Sequence, residues 1–154
     1  MAMSTAVYST SEIALAPLRQ DNIRRVINPS RHAWHQSFLE KIAELTRLPP
    51  NWNGYGARAV GFHAGNFAVS MVASACPHYV SEPQVVPGEN GDLQVEWHSL
   101  EFDIELHVKA PFEVIATRHI GDGCEEVNLS NDFTLVATWL DEMESAIAAR
   151  VAAA

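Results

Sequence analysis

DLQVEWHSLEFDIELHV, residues 92–108, alternates apolar and polar side chains in two successive runs. Leu93, Val95 and Trp97 alternate with Gln94, Glu96 and His98. Phe102, Ile104, Leu106 and Val108 alternate with Glu101, Asp103, Glu105 and His107. Successive side chains of an extended chain point to opposite faces, so a period of two gives each strand one apolar and one polar face. That is the pattern of antiparallel strands buried on one side and wet on the other. Two registers satisfy it. With Ser99-Leu100 as the turn, Trp97 meets Phe102, Val95 meets Ile104 and Glu96 faces Asp103. With Leu100-Glu101 as the turn, Trp97 meets Ile104, Val95 meets Leu106, His98 faces Asp103 and Glu96 faces Glu105. Both keep the apolar side chains together, and both set Glu96 directly against another carboxylate.

The same period extends outward. Gln84–Val86, flanked by Pro83 and Pro87, suits a short edge strand. Glu89-Asn90-Gly91-Asp92, Lys109-Ala110-Pro111 and Gly121-Asp122-Gly123 carry turn chemistry. Elsewhere the period is helical. Trp34, Phe38, Ile42 and Leu45 predict a helix over about 31–47, capped from Asn28 or Ser30 and stopped at Leu48-Pro49-Pro50. Ala64, Ala68, Met71, Val72 and Ala75 predict a second over about 62–76. Phe133, Val136, Leu140, Met143 and Ile147 predict a third over about 131–150, capped from Ser130, Asn131 or Asp132. The expected fold class is α+β with two layers. It has a four- to five-stranded antiparallel β-meander, with strands about 84–86, 92–98, 101–108, 112–119 and 124–129, packed on one face by about three helices. Residues 1–29 are expected to form an N-terminal arm and 30–154 a single domain.

The charge is uneven. Formal net charge is -9. Residues 1–60 carry seven bases against four acids, residues 61–126 eleven acids against two bases, and the remainder four acids against Arg150. The sheet region is thus the acidic one. It repels nucleic-acid phosphate, so direct nucleic-acid binding through that surface is disfavoured, and it attracts a basic partner. No run of about 18 apolar residues offers a membrane span. The first residues lack a basic start followed by an apolar core, which argues against a secretory signal. Two cysteines, Cys76 and Cys124, make no disulfide framework; both read as buried thiols of a cytoplasmic protein.

The polar face gives the site expectations. Glu96, Glu101, Asp103 and Glu105 would bind a basic protein or a nucleoprotein complex. Trp52 and Tyr55, in the glycine-rich loop Asn51–Ala57, would supply an aromatic anchor. The favoured class is therefore a non-enzymatic interaction protein without a cofactor. A metal-dependent hydrolase is the alternative, with His98, Asp103 and His119 converging at one end of adjacent strands, or with Glu96 and Asp103 as paired acid and base. A third class is a structural module that forms a homodimer through an open sheet edge. Phosphate-loop, dinucleotide and nucleophile-elbow motifs are absent from the sequence. Cys76-Pro77-His78 places a thiol near an imidazole, but sequence neighbours seldom form a nucleophile pair.

Leu48-Pro49-Pro50-Asn51-Trp52-Asn53-Gly54-Tyr55-Gly56-Ala57, followed by Pro83-Gln84-Val85-Val86-Pro87, the Gly91–His98 stretch and Asp103-Ile104-Glu105, resembles a group of small bacterial and phage proteins with no established function. Those share a Leu-Pro-x-Asn-Trp-Asp-Gly-Tyr-Gly-Ala stretch and a later Glu-Trp-His strand; here Asn53 stands where the pattern often has Asp. The resemblance spans roughly residues 45–108. It implies a bacterial or phage origin. By analogy with small acidic proteins of that setting, it also implies an antitoxin, an immunity protein or an anti-defence inhibitor.

Overall fold

The computed structural model describes residues 32–154. The expected arm, and the caps offered by Asn28 and Ser30, lie outside the described residues. The elements run α1 (His35–Leu45), α2 (Phe62–Ala75), β1 (Gln84–Pro87), β2 (Leu93–Ser99), β3 (Phe102–Ala110), β4 (Glu113–Ile120), β5 (Gly123–Leu129) and α3 (Thr134–Ala152). The strands form one antiparallel sheet in the order β1-β2-β3-β4-β5. This is the expected α+β meander with helices packed on a sheet. Leu93, Val95, Trp97, Ile104, Leu106, Val108, Val114 and Ala116 turn one face inward. They share a single core with Phe38 and Ile42 of α1, Ala68 and Met71 of α2, and Val136, Trp139 and Leu140 of α3. Gly65 lets α1 and α2 close on each other: a Cβ there would sit 3.0 Å from Ile42 Cγ2. Among the described residues, no helix is long and apolar enough to cross a membrane.

The β2–β3 turn is Leu100-Glu101, which selects the second register: Trp97 opposite Ile104, Val95 opposite Leu106, His98 opposite Asp103 and Glu96 opposite Glu105. β3 therefore starts at Phe102, and Glu101 is a turn residue rather than part of the polar face of a strand. Leu100 takes a φ of 56°, a conformation that costs an L-residue on the order of 1–3 kcal/mol. Its side chain is largely exposed and contributes little burial in return. Leu100→Gly should accordingly stabilise the fold by about 1 kcal/mol, strain relief outweighing the extra chain entropy of glycine (about 0.5–1 kcal/mol). Urea unfolding of the two proteins measures it, and an unchanged or lower midpoint would contradict the strain.

The second hairpin also differs from expectation. Pro111-Phe112 makes its turn, with Phe112 at a φ of 65°, and the register shifts between Val108 and Ala110. That bulge at Lys109 sets which residues of β4 share a face with Asp103 and Glu105.

Two helix starts move. α1 begins at His35 rather than 31. Trp34 precedes it, with its indole Nε1 donating to the Val80 carbonyl at 2.8 Å and its ring stacked on His32 at 4.4 Å. His32 Nε2 lies 3.1 Å from the carbonyls of both Cys76 and Pro77. These contacts hold residues 32–34 in a turn against the α2–β1 connection. α3 begins at Thr134, whose N–H and hydroxyl both donate to Asp132 Oδ1; of the three expected caps, Asp132 is the one engaged there. Of the thiols, Cys76 is buried, and that burial pushes it up to about 12. Cys124 is exposed, correcting the expectation that both are buried, because β5 is an edge strand and position 124 faces outward.

Candidate functional site

The outward face of the sheet is organised in rungs across the strands. The middle rung is Gln84, Glu96, Glu105, Thr117 and Glu126, each the pairing partner of the next. Three of its five side chains are carboxylates. The next rung is His98, Asp103, His119 and Cys124. A third holds Gln94, His107, Ile115 and Asn128. Like charges directly opposite each other in a sheet are destabilising, within a scale of about 0.2–1 kcal/mol per pair. The Glu96–Glu105 opposition is therefore a standing cost.

His98 partly offsets it. Its Nε2 lies 3.0 Å from Glu96 Oε2 and its Nδ1 2.9 Å from Asp103 Oδ1. The Asp103 contact is at ion-pair distance but is not a hydrogen bond, so Asp103 Oδ1 is enclosed with no hydrogen-bond partner among the described residues. Glu96 is well enclosed, its side chain 14% exposed. The bond to Glu96 raises the His98 pKa; partial burial works against it, and the charges of Asp103, Glu96 and Glu105 add to the rise. A raised folded-state pKa means that His98 stabilises the fold fully below its unfolded value of 6.5 and loses that contribution as pH rises through the folded value. The difference in urea midpoint between the wild type and His98→Gln should therefore be largest below the unfolded value of 6.5 and shrink as the pH rises through the raised folded value. A difference that is constant with pH would contradict the ion pairing.

At the opposite end of the face His107 Nε2 meets Asp92 Oδ2 at 2.5 Å. Burial alone would raise the Asp92 carboxyl. The bond from His107, with backbone N–H groups of Asp92 and Asn90, outweighs it and holds Asp92 below its ordinary value. Gly88 makes room for this pair, because a Cβ there would lie 2.1 Å from Asp92 Oδ1.

The structure brings together Glu96, Asp103 and Glu105. It does not bring in the rest of the expected set. Glu101 sits in the turn beyond Ser99. The loop carrying Trp52 and Tyr55 is fastened to the β1–β2 turn: Asn53 Nδ2 donates to Glu89 Oε1 at 3.2 Å, and the Arg58 guanidinium to the Asn90 carbonyl at 2.8 Å. Glu96 is three residues along β2 from Leu93, the first residue after that turn, roughly 10 Å at strand rise. Trp52 is half-buried with its Nε1 on the Arg58 carbonyl, and Tyr55 is 91% exposed. The aromatic pair thus flanks one end of the sheet rather than the centre of the acidic face. Asn53 suits the loop here: its Oδ1 accepts from Tyr55 and Ala57 while its amide donates to Glu89, a bond that an Asp would replace with repulsion.

The alternative metal set shares one rung, yet among the described residues no three His, Cys, Asp or Glu side chains are arranged to hold a metal ion. Both His98 nitrogens already face carboxylates, and His119 Nε2 lies 3.8 Å from Cys124 Sγ. A groove of about 410 Å³ on the helical side, between Phe67, Met71, Phe112 and Phe133, has no titratable group in its lining. Its Ser70 and Ser74 hydroxyls donate to carbonyls of their own helix.

Two features escaped the sequence reading. Glu126 and Thr117 join the acidic rung only through the β3–β4 and β4–β5 registers. Arg118 points to the inner face, where it stacks over Trp139 at 5.0 Å and pairs with Glu142 at 2.5 Å and Glu125 at 3.0 Å, clamping α3 and β5 to β4. A charged residue in the apolar phase of Val114, Ala116 and Ile120 was its signal. Fold and face together define an α+β domain whose antiparallel sheet is covered by helices on one side and presents carboxylates on the other. Comparison with protein-family models, with curated proteins and with solved structures found no match.

Proposed function

We propose that this is a non-enzymatic interaction protein that takes a basic protein partner on the outward face of its sheet. The observation that carries the proposal is the middle rung, where Glu96, Glu105 and Glu126 line up across the strands with Asp103 beside them. A fold gains nothing from opposing its own carboxylates, whereas a partner's Lys and Arg side chains would remove the repulsion on docking and steer association. A partner that uses those cations to hold nucleic-acid phosphate cannot use them for both at once. Occupancy of this face would then block nucleic-acid handling, which makes the protein an inhibitor of antitoxin, immunity or anti-defence type. The resemblance of the Asn51–Ala57 loop and the Glu96-Trp97-His98 strand to bacterial and phage proteins supports that setting, and a cytoplasmic location goes with it. The test is capture from the native host with wild type and with the Glu96→Lys, Asp103→Lys, Glu105→Lys variant. The wild type should retain a basic protein that the variant loses; equal recovery by both would sink the proposal.

A further inference from the structure

The two edges of the sheet are treated differently. β1 has four residues, follows Pro83, ends on Pro87 and lies beside α1. Prolines and short length are the usual means of keeping a sheet edge from pairing with another chain. β5 has seven residues and no proline, and among the described residues it pairs with β4 alone. Residues Gly123 to Glu126 are all exposed. The β4–β5 turn is Gly121-Asp122, so Ile120 and Gly123 form the closing pair of a two-residue hairpin. Such a pair exchanges both of its hydrogen bonds, and the bonding then alternates along the ladder. Cys124, Glu126 and Asn128 fall in the alternate pairs, with their N–H and C=O groups directed away from β4. These three residues also carry the outward side chains, and Glu126 ends the acidic rung at this edge.

We infer that β5 is a docking edge that accepts an extended basic segment of a partner protein as a sixth strand, with Lys or Arg side chains of that segment continuing the Glu96–Glu105–Glu126 rung. This rests on the proposed acidic-face function and specifies its mode. Charge complementarity selects the occupant. The register that pairs all seven residues of β5 with a second copy of this chain sets Glu126 against Glu126 and lengthens a row that is already repulsive. A segment alternating cationic and apolar residues places a cation beside Glu126 and apolar side chains beside Val127 and Leu129 on the other face. Strand addition then supplies affinity through the main chain and specificity through alternate side chains.

The experiment uses the full chain and three capped octapeptides: alternating Lys-Val, alternating Glu-Val, and Lys-Val with its bonding amides N-methylated. Calorimetry reads affinity, and amide exchange followed by NMR reads location. The Lys-Val peptide should bind, slow exchange at Cys124, Glu126 and Asn128, and weaken at least about tenfold on N-methylation. It should weaken similarly with Asn128→Pro, which removes an outward N–H while leaving the β4 ladder whole. Binding unaffected by N-methylation and by Asn128→Pro, but lost with Glu96→Lys, Asp103→Lys, Glu105→Lys, would overturn strand addition and leave the acidic face standing. Failure of the Lys-Val peptide to bind, or equal binding of the Glu-Val peptide, would overturn both. Slow exchange at the three amides before any peptide is added would show the edge already paired, and would overturn the inference in favour of self-association or another part of the chain.

Discussion

Trp97→Ala is expected to cost about 3–5 kcal/mol of stability, a large share of the roughly 5–15 kcal/mol that holds a domain of this size. Trp97 is 2% exposed on the inner face of the sheet, and no other side chain in β2 has its volume. Its indole also donates to the Ser81 carbonyl at 3.0 Å. That bond ties the α2–β1 connection to the sheet, beside the Val80 carbonyl held by Trp34 and the Ser81 N–H held by Glu144 at 2.7 Å. Alanine removes the ring, leaves a cavity and strands the carbonyl. Trp97→Phe separates the contributions: it restores most of the volume but not the bond, and should cost roughly 1–2 kcal/mol. Urea unfolding of both variants measures this. Equal losses from Phe and Ala would assign the residue's importance to the bond, and losses under 1 kcal/mol from Ala would contradict its place in the core.

Replacing Glu96, Asp103 and Glu105 together by lysine should weaken a basic partner by at least about a hundredfold, since close charge pairs at interfaces couple by about 1.5–7 kcal/mol and each pair changes sign. The fold should survive. Glu96 and Glu105 already oppose each other, so two lysines there exchange one repulsion for another. All three positions lie on the outward face, away from the core. His98 loses both carboxylate neighbours, and its pKa should fall back toward or below 6.5. The isosteric variant Glu96→Gln, Asp103→Asn, Glu105→Gln removes charge without reversing it. It should bind less tightly than wild type and more tightly than the lysine variant; at a pH where His98 is uncharged it should also gain a few tenths of a kcal/mol in stability as the repulsion goes. Wild-type affinity should also decline with added salt as the Debye length contracts from about 10 Å at 0.1 M to about 3 Å at 1 M. Calorimetry with the captured partner, at two salt concentrations, checks both expectations.

What was legible in the sequence was whatever depended on period. Leu93 to Val108 announced a half-buried hairpin, and both possible turns kept its apolar side intact. The choice of Leu100-Glu101 was not legible, because a leucine at positive φ goes against local preference. The same holds for Phe112. The central trio of the acidic face could be seen because it lies on adjacent strands joined by a two-residue turn. Its extension to Glu126 could not, since it passes through a bulge at Lys109 and a second hairpin, and a one-residue slip at either would have turned Glu126 inward. Trp52 and Tyr55 suit a binding face by chemistry alone; their position depends on bonds from Asn53 and Arg58 to residues more than thirty positions away. Arg118 was hidden because a cation on an inner face makes sense only once Trp139, Glu125 and Glu142 are known to surround it.

If the outward face of the sheet takes basic ligands, a cationic peptide should find it. The most direct measurement is an NMR titration of the isotopically labelled protein with a lysine octapeptide, following backbone amides and the His98 ring. The largest shifts are expected at Glu96, Asp103, Glu105, Thr117 and Glu126, with His98 releasing its proton at lower pH as peptide cations displace it from the carboxylates. Shifts confined to the groove of Phe67, Phe112 and Phe133, with the sheet face silent, would contradict it.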